Sequence, residues 1–198
     1  YLHPCIIRNL NVKGSISYLP DDESTSNNTM NIGGVAGKVS NNVLFENIIS
    51  SVSISIFDNC NINAGGLFGC LNTSIDSWSN LSYAGIHSTI NAITNGEKAF
   101  VNVGGLAGLI ENAYCKSYED QSFSATYIGN SLNASSGNSS VGGIIGKINH
   151  STTLEYLFEN FLLHPENSMI ISSIINNTSG SEANYASASS GIGSIQCS

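Results

Sequence analysis

The chain has 198 residues, of which 41% are hydrophobic and only 10% charged, and its formal net charge is −8. This length is enough for one domain with a sizeable core, but charged residues fall far below the quarter or so of an ordinary soluble protein. The six Lys and Arg residues form no cluster, which argues against nucleic acid and anionic membrane surfaces as partners. No apolar run reaches the roughly 18 residues of a transmembrane span, so no membrane insertion is predicted.

A glycine-rich pentapeptide recurs along the chain as GGVAG at 33–37, GGLFG at 65–69, GGLAG at 104–108 and GGIIG at 142–146. A degenerate fifth copy, SGIGSI, occupies 190–195. Self-similar units roughly every 30 to 40 residues indicate a repeat architecture. When every second residue of a copy is taken together, one of the two sets alternates between glycine and an aliphatic residue. This pattern predicts a strand with one buried side. Glycine stacked on glycine in neighbouring units, about 4.8 Å apart, would explain their recurrence.

The twelve glycines of the four clear copies are predicted to be structural: Gly33, Gly34, Gly37, Gly65, Gly66, Gly69, Gly104, Gly105, Gly108, Gly142, Gly143 and Gly146. The opposite parity of each copy is predicted to look outward. On that side four residues would form an apolar surface stripe: Ala36, Phe68, Ala107 and Ile145.

In chain order, residues 1–19 read as strands of a half repeat, and 20–30 as a polar loop. The following repeat units are predicted at 31–60, 61–100, 101–140 and 141–178. Apolar residues at helical spacing make 153–165 the one candidate for a short helix. Residues 179–198 read as a polar tail with a degenerate repeat start. Together these features predict a single all-β domain over 1–198, a parallel β-solenoid of about four to five rungs.

The pentapeptide and the segments that follow it resemble the GLUG motif of bacterial adhesins and IgA-peptidase-type surface proteins. The second segment of that motif is represented by FENIIS at 45–50, NAYCKSYE at 112–119 and FENFLL at 158–163. The similarity to the repeats of chlamydial polymorphic outer-membrane proteins is looser. The resemblance covers about 31–178, with long insertions, and the 65–103 unit departs from it by reading WSNLSYAG. It implies a right-handed β-solenoid on a cell surface and no enzyme chemistry in the repeats.

Eight N-x-S/T sequons are candidate glycosylation sites if the chain is secreted: Asn27, Asn72, Asn80, Asn133, Asn138, Asn149, Asn176 and Asn177. Chance is the alternative, since a chain rich in Asn and Ser makes sequons easily. Five cysteines leave at least one unpaired within the chain, and Cys60 and Cys70 are a candidate disulfide pair.

No catalytic, cofactor or metal site is predicted. The acidic groups at 21–23 and 119–120 are expected in loops as solvated charge, with calcium at 21–23 and glycan cleavage by paired carboxylates as alternatives. The four histidines are scattered and have no acidic residue or cysteine at metal-ligand spacing.

The sequence therefore predicts a structural protein that is extracellular or displayed on a cell surface, such as a stalk, an adhesin segment or a fibre subunit, and not an enzyme. Its predicted partners are other copies of itself or neighbouring surface proteins, with glycans as further candidates. Open solenoid ends would allow strands of one copy to add to another as a filament. The alternative is that the chain is a segment of a longer one, whose further rungs cover both ends. The rival prediction is a β-helix protein that binds or cleaves carbohydrate.

Overall fold

The computed structural model describes residues 5–20, 28–40, 43–72, 79–96, 99–111, 127–136, 138–149, 170–179, 185–189 and 192–196. In these ranges every regular element is a β-strand. The strands are β1 (Cys5–Tyr18), β2 (Thr29–Gly33), β3 (Ala36–Ser40), β4 (Val43–Asp58), β5 (Asn61–Gly65), β6 (Phe68–Asn72), β7 (Ser79–Ile86), β8 (Thr89–Thr94), β9 (Phe100–Gly104), β10 (Ala107–Glu111), β11 (Tyr127–Ser136), β12 (Asn138–Gly142), β13 (Ile145–Asn149), β14 (Ile170–Ser179), β15 (Tyr185–Ser189) and β16 (Ile192–Gln196). The helix predicted at 153–165 lies outside the described residues.

The strands form three sheets in which neighbouring strands run parallel. Sheet A contains β1, β4, β7, β8, β11 and β14; sheet B contains β2, β5, β9, β12 and β15; sheet C contains β3, β6, β10, β13 and β16. The chain visits the sheets in the fixed order A, B, C, and we call each passage a triplet. There are five triplets among the described strands, and the third has its sheet A strand divided into β7 and β8. For the described residues this confirms an all-β fold built from parallel sheets.

The repeated pentapeptides lie in register across neighbouring triplets. Gly33, Gly65, Gly104 and Gly142 are consecutive partners in sheet B. In sheet C, Ile192 of the degenerate copy pairs with Ile145 of the fourth. The predicted stacking of glycine on glycine is therefore present in the fold. The residues expected to be a half repeat and a polar tail also contribute strands to these sheets, as β1, β15 and β16.

The prediction of one continuous strand through each pentapeptide is wrong. The second glycine and the residue after it form a bend, so that each sheet B strand ends on the first glycine and each sheet C strand begins at the fourth residue. At the bend Val35 and Ala36 both donate their N–H to the carbonyl of Leu67, and Leu67 and Phe68 do the same with Leu106. Because a corner interrupts the alternation, residues of both parities turn toward the core.

The predicted outward stripe is wrong for the same reason. Phe68, Ala107 and Ile145 are buried, with exposed fractions of 3%, 0% and 1%, and Ala36 packs against the same core cluster. The rings of Phe68 and Phe45 lie 4.7 Å apart between centroids, which places this column against sheet A. Such aromatic pairs add to the free energy of burial when their rings are tilted, as here at 50°.

The core has two apolar clusters that lie side by side under the long strands of sheet A. In β4, Phe45 and Ile48 belong to the cluster shared with sheet C, whereas Ile54 and Ile56 belong to the cluster shared with sheet B. Between them the buried hydroxyl of Ser50 donates to the carbonyl of Gly66 at the bend, 2.8 Å away. One sheet A strand thus faces both shorter strands of its triplet.

The pentapeptide glycines are required by close backbone approach. A Cβ added to Gly104 would lie 2.6 Å from the backbone nitrogen of Gly146 and would also overlap the carbonyl of Ala107. A Cβ on Gly108 would overlap the backbone of Asn63 and Ala64 in the preceding triplet. Among the glycines of the described ranges, positive φ is found at Gly14 and at none of these pentapeptide positions. The constraint is space rather than backbone conformation.

We expect Gly104→Ala to lower the free energy of unfolding by about 1–3 kcal/mol, because a methyl group would be forced against two backbones. The matched control is Gly85→Ala in sheet A, where the added Cβ meets only Ile49, at 3.9 Å. Urea denaturation followed by circular dichroism measures both variants. Equal midpoints for the two would contradict the close approach.

Candidate functional site

A cleft opens on the protein surface where strands of sheets B and C meet in the third and fourth triplets. Its volume is about 280 Å³. The lining residues come from β9, β12 and β13: Phe100, Asn102, Asn138, Ser139, Ser140 and Lys147. We call this the B–C cleft. Beside the cleft, Gly146 of β13 packs against Val103 of β9 in the preceding triplet.

A ladder of hydrogen-bonded asparagines runs along the stack and ends at one wall of the cleft. Asn63 donates its side-chain N–H to Asn31, and Asn102 donates to Asn63, both at 2.8 Å. Asn63 and Asn102 are each 3% exposed, so these amide–amide bonds satisfy polar groups that are almost fully buried. In the next triplet the ladder position is Ser140. Its hydroxyl bonds instead to Ser194, at 2.8 Å, and to Ser187, at 3.4 Å.

The ladder could have been found in the sequence. Asn31, Asn63 and Asn102 each stand two residues before the first glycine of a pentapeptide, and Ser140 holds the same place in the fourth copy. Because serine is shorter than asparagine, the change at Ser140 removes side-chain volume where the B–C cleft lies.

The other wall of the cleft carries a cation and an aromatic ring. The Lys147 ammonium lies 5.7 Å from the centroid of the Phe100 ring, within range of a cation–π interaction. Phe100 is 43% exposed, one of the few large apolar side chains in the described ranges that face solvent. Among the described side chains, no carboxylate forms an ion pair with Lys147. The ion pair that these side chains do form joins Arg8 to Glu46 in sheet A, away from the cleft.

The corner between sheets A and B is closed by side chains. The buried Asp58 carboxylate accepts hydrogen bonds from the N–H of Asn59, at 2.6 Å, and from the thiol of Cys60, at 3.3 Å. In the next triplet Thr94 pairs with Asp58 and accepts from the N–H of Gly96, at 3.2 Å. These bonds satisfy turn N–H groups that the sheets leave unpaired. We interpret this corner as structural.

The predicted Cys60–Cys70 disulfide is absent from the structure, in which both cysteines have free thiols. Cys60 lies at the corner and bonds to Asp58, whereas Cys70 lies in β6 between Lys38 and Leu109. Burial is the main cause that raises the pKa of each thiol to about 11. The hydrogen bond to Asp58 and its charge raise the pKa of Cys60 further, and the charge of Glu111 raises that of Cys70. Both behave as small buried core residues.

The sequons lie at strand ends and within strands. Asn72 and Asn149 end β6 and β13, and the Asn72 amide donates to Glu111 at 3.2 Å. Asn138 begins β12 and lines the B–C cleft. The remaining sites within strands are Asn80 in β7, Asn133 in β11, and Asn176 and Asn177 in β14. Asn27 lies outside the described residues. Their glycosylation stays a prediction.

The acidic groups at 21–23 and 119–120, which carry the calcium and glycan-cleavage alternatives, also lie outside the described residues. So do three of the four histidines, and the fourth, His87, is exposed beside the break between β7 and β8. The described part of the chain contains no cluster of three metal-ligating side chains and no helix long and apolar enough to span a membrane.

Comparison of the chain with protein-family models, with curated proteins and with solved structures gives no match. The resemblance to GLUG-motif proteins stays a prediction. The site is therefore interpreted from its own residues.

We expect Asn63→Ala to lower the free energy of unfolding by about 1–3 kcal/mol, because it leaves the buried amide of Asn102 and the partly buried amide of Asn31 without their shared partner. Ser55→Ala, on the exposed side of β4, is the control and should change little. Thermal and urea denaturation measure both. If the ladder did not contribute to the free energy of unfolding, the two variants would be equally stable.

The thiols provide a pH test. At pH 8 an alkylating reagent should modify Cys5, which is exposed, while Cys60 and Cys70 stay unmodified until the chain is unfolded.

Because the pKa of Cys60 and of Cys70 is raised to about 11, the folded state favours the protonated thiols, and that stabilisation should be lost as pH rises from 9 toward 11. Peptide mass spectrometry after timed alkylation locates each modification. Equal rates at Cys5 and Cys60 in the folded chain would contradict the buried positions.

Proposed function

We propose that the three parallel sheets are the faces of a right-handed β-solenoid with five turns, one for each triplet, and that the protein is a structural component of an extracellular or cell-surface assembly. The observation that carries this proposal is the fixed A, B, C order of the strands with their pentapeptide glycines in register. Connections between parallel strands of one sheet are almost always right-handed, which supports the handedness.

The ends of the stack supply the surfaces for assembly. Among the described strands β1, β2 and β3 are the outermost on one side, and β14, β15 and β16 on the other. Outermost strands present N–H and C=O groups that can pair with strands of another chain. The apolar core is also less covered at the β1 end: Ile16 is only partly buried, while its partner Ile54 in β4 is 1% exposed.

The two ends match each other in strand length in sheets B and C. The outermost strands of sheet B, β2 and β15, both have five residues, and so do those of sheet C, β3 and β16. A second copy stacked by the same translation would continue all three sheets and cover the β1 end. This head-to-tail contact does not close on itself, so it produces a fibre. Further turns of a neighbouring surface protein could cover the same strands.

An extracellular location is part of the proposal. The density of sequons supports it, because glycans would solubilise a surface with so few charges. The role as stalk, adhesin segment or fibre subunit follows from stiffness along the stack and from contacts at its ends.

The test is self-association measured by sedimentation velocity over a range of protein concentrations. The wild-type chain should form elongated assemblies that grow with concentration. Ile16→Lys should abolish them, because the new charge lies at the open end of the core and would be buried by a second copy.

Ser17→Lys is the matched control, since Ser17 is the next residue of β1 and is exposed. It should assemble like the wild type. A wild-type chain that stays monomeric at every concentration would contradict the fibre subunit. Equal assembly of the two lysine variants would contradict the end-to-end contact.

A second candidate function, carbohydrate binding, is favoured by the exposed Phe100 ring beside amide and ammonium groups in the B–C cleft. Aromatic faces combined with a few polar groups are common in ligand sites. The cleft lies on the side of the stack, so this function is compatible with assembly through the ends.

A further inference from the structure

We propose that the B–C cleft is a binding site for a carboxylate-bearing saccharide, with Lys147 holding the carboxylate and Phe100 packing against the face of the sugar ring. This inference rests on the carbohydrate-binding function given above as the second candidate, names its ligand class, and does not depend on assembly. It rests on three features of the cleft: its shape, its cation and its exposed ring.

The shape of the cleft comes from the interruption of the asparagine ladder. In the first three triplets the ladder position holds an amide that bonds to the amide of its neighbour. At Ser140 the shorter side chain turns to Ser194 and Ser187 instead. The volume of about 280 Å³ that remains is bordered by Asn102, Ser139 and Ser140, which are almost fully buried, and by the partly buried Asn138. It approaches the lower end of the range usual for small-molecule sites, roughly 300–1,000 Å³.

The charge of the cleft favours an anion. Lys147 is partly buried, and in the described ranges no carboxylate neutralises it. Its ammonium faces the Phe100 ring, which attracts the cation without satisfying its hydrogen-bond donors. A ligand carboxylate would accept those hydrogen bonds and form a charge-assisted pair. The net charge of −8 acts over a longer range and is screened at physiological ionic strength.

The ring and the amides favour a sugar over a simple anion. Phe100 exposes 43% of its surface at the rim, where the apolar C–H face of a pyranose could cover it. Asn138 is the sheet B partner of Phe100, so an amide lies beside the ring in the next triplet. A ligand with one flat apolar face, several hydroxyls and a carboxylate matches this set. A uronic acid residue within a polysaccharide has these groups.

The experiment is isothermal titration of the full chain with a short oligogalacturonate. A neutral oligogalactose is the control for the carboxylate, and polyglutamate is the control for the sugar. We expect binding of the acidic saccharide and about tenfold weaker binding of the neutral oligomer, which lacks the charged hydrogen-bond acceptor. Polyglutamate should also bind more weakly, because it lacks the apolar sugar face that would cover Phe100.

Two variants assign the binding to the cleft. Lys147→Gln removes the charge at nearly constant length and should weaken binding of the acidic saccharide about tenfold or more. Phe100→Leu keeps an apolar side chain but removes the flat ring, and should weaken binding of the acidic and of the neutral saccharide by a similar factor. Lys38→Gln is the matched control, because Lys38 occupies the same sheet C column as Lys147 but lies in the first triplet, outside the cleft. It should bind like the wild type.

Four results would overturn the proposal: no measurable binding of the oligogalacturonate, equal binding of the neutral oligomer, equal binding of polyglutamate, or unchanged affinity in Lys147→Gln. Circular dichroism of each variant establishes that it is folded. Lys147 and Phe100 are both solvent-accessible in part, so their substitution is compatible with folding.

Discussion

The structure depends on how closely the backbones of neighbouring strands approach one another at the pentapeptide glycines. Each sheet C strand lies against the sheet B strand of the preceding triplet, with Gly108 over Asn63 and Gly146 over Val103. A side chain at these positions would separate the two sheets and open both apolar clusters beneath them. The bend at the paired glycines and the burial of the Phe68 column are compatible with this close approach.

The buried polar groups are the second requirement, because three sheets in such close contact leave few places for water. The amides of Asn31, Asn63 and Asn102 satisfy one another along the stack, and Ser50 bonds to the carbonyl of Gly66 within one triplet. The first set of bonds joins neighbouring triplets, and the second joins opposite walls of the same triplet. The ladder stops at Ser140, so the same column that stabilises the first three triplets leaves a cleft at the fourth.

Much of the fold could be predicted from the repeats, because residues at equal offsets from Gly33, Gly65, Gly104 and Gly142 do become partners in the sheets. The direction of individual side chains could not, since period-two reasoning assumes an unbroken strand and the bend at Gly66 and Leu67 shifts Phe68 into the core. The free thiols of Cys60 and Cys70 show the same limit: short separation in sequence does not place two residues together across a corner. The cleft depends on pairing of Phe100 with Asn138 and on Lys147 approaching the ring, which no single segment of sequence contains.

Nuclear Overhauser spectroscopy of the isotope-labelled native chain tests most directly whether consecutive triplets stack in register. We expect cross-peaks from the side-chain amide of Asn63 to those of Asn31 and Asn102, because the amides are hydrogen-bonded at 2.8 Å although 32 and 39 residues apart in sequence. Backbone cross-peaks between Gly65 and both Gly33 and Gly104 should accompany them. A folded chain in which these pairs give no cross-peaks, while sequential neighbours do, would contradict the stacking.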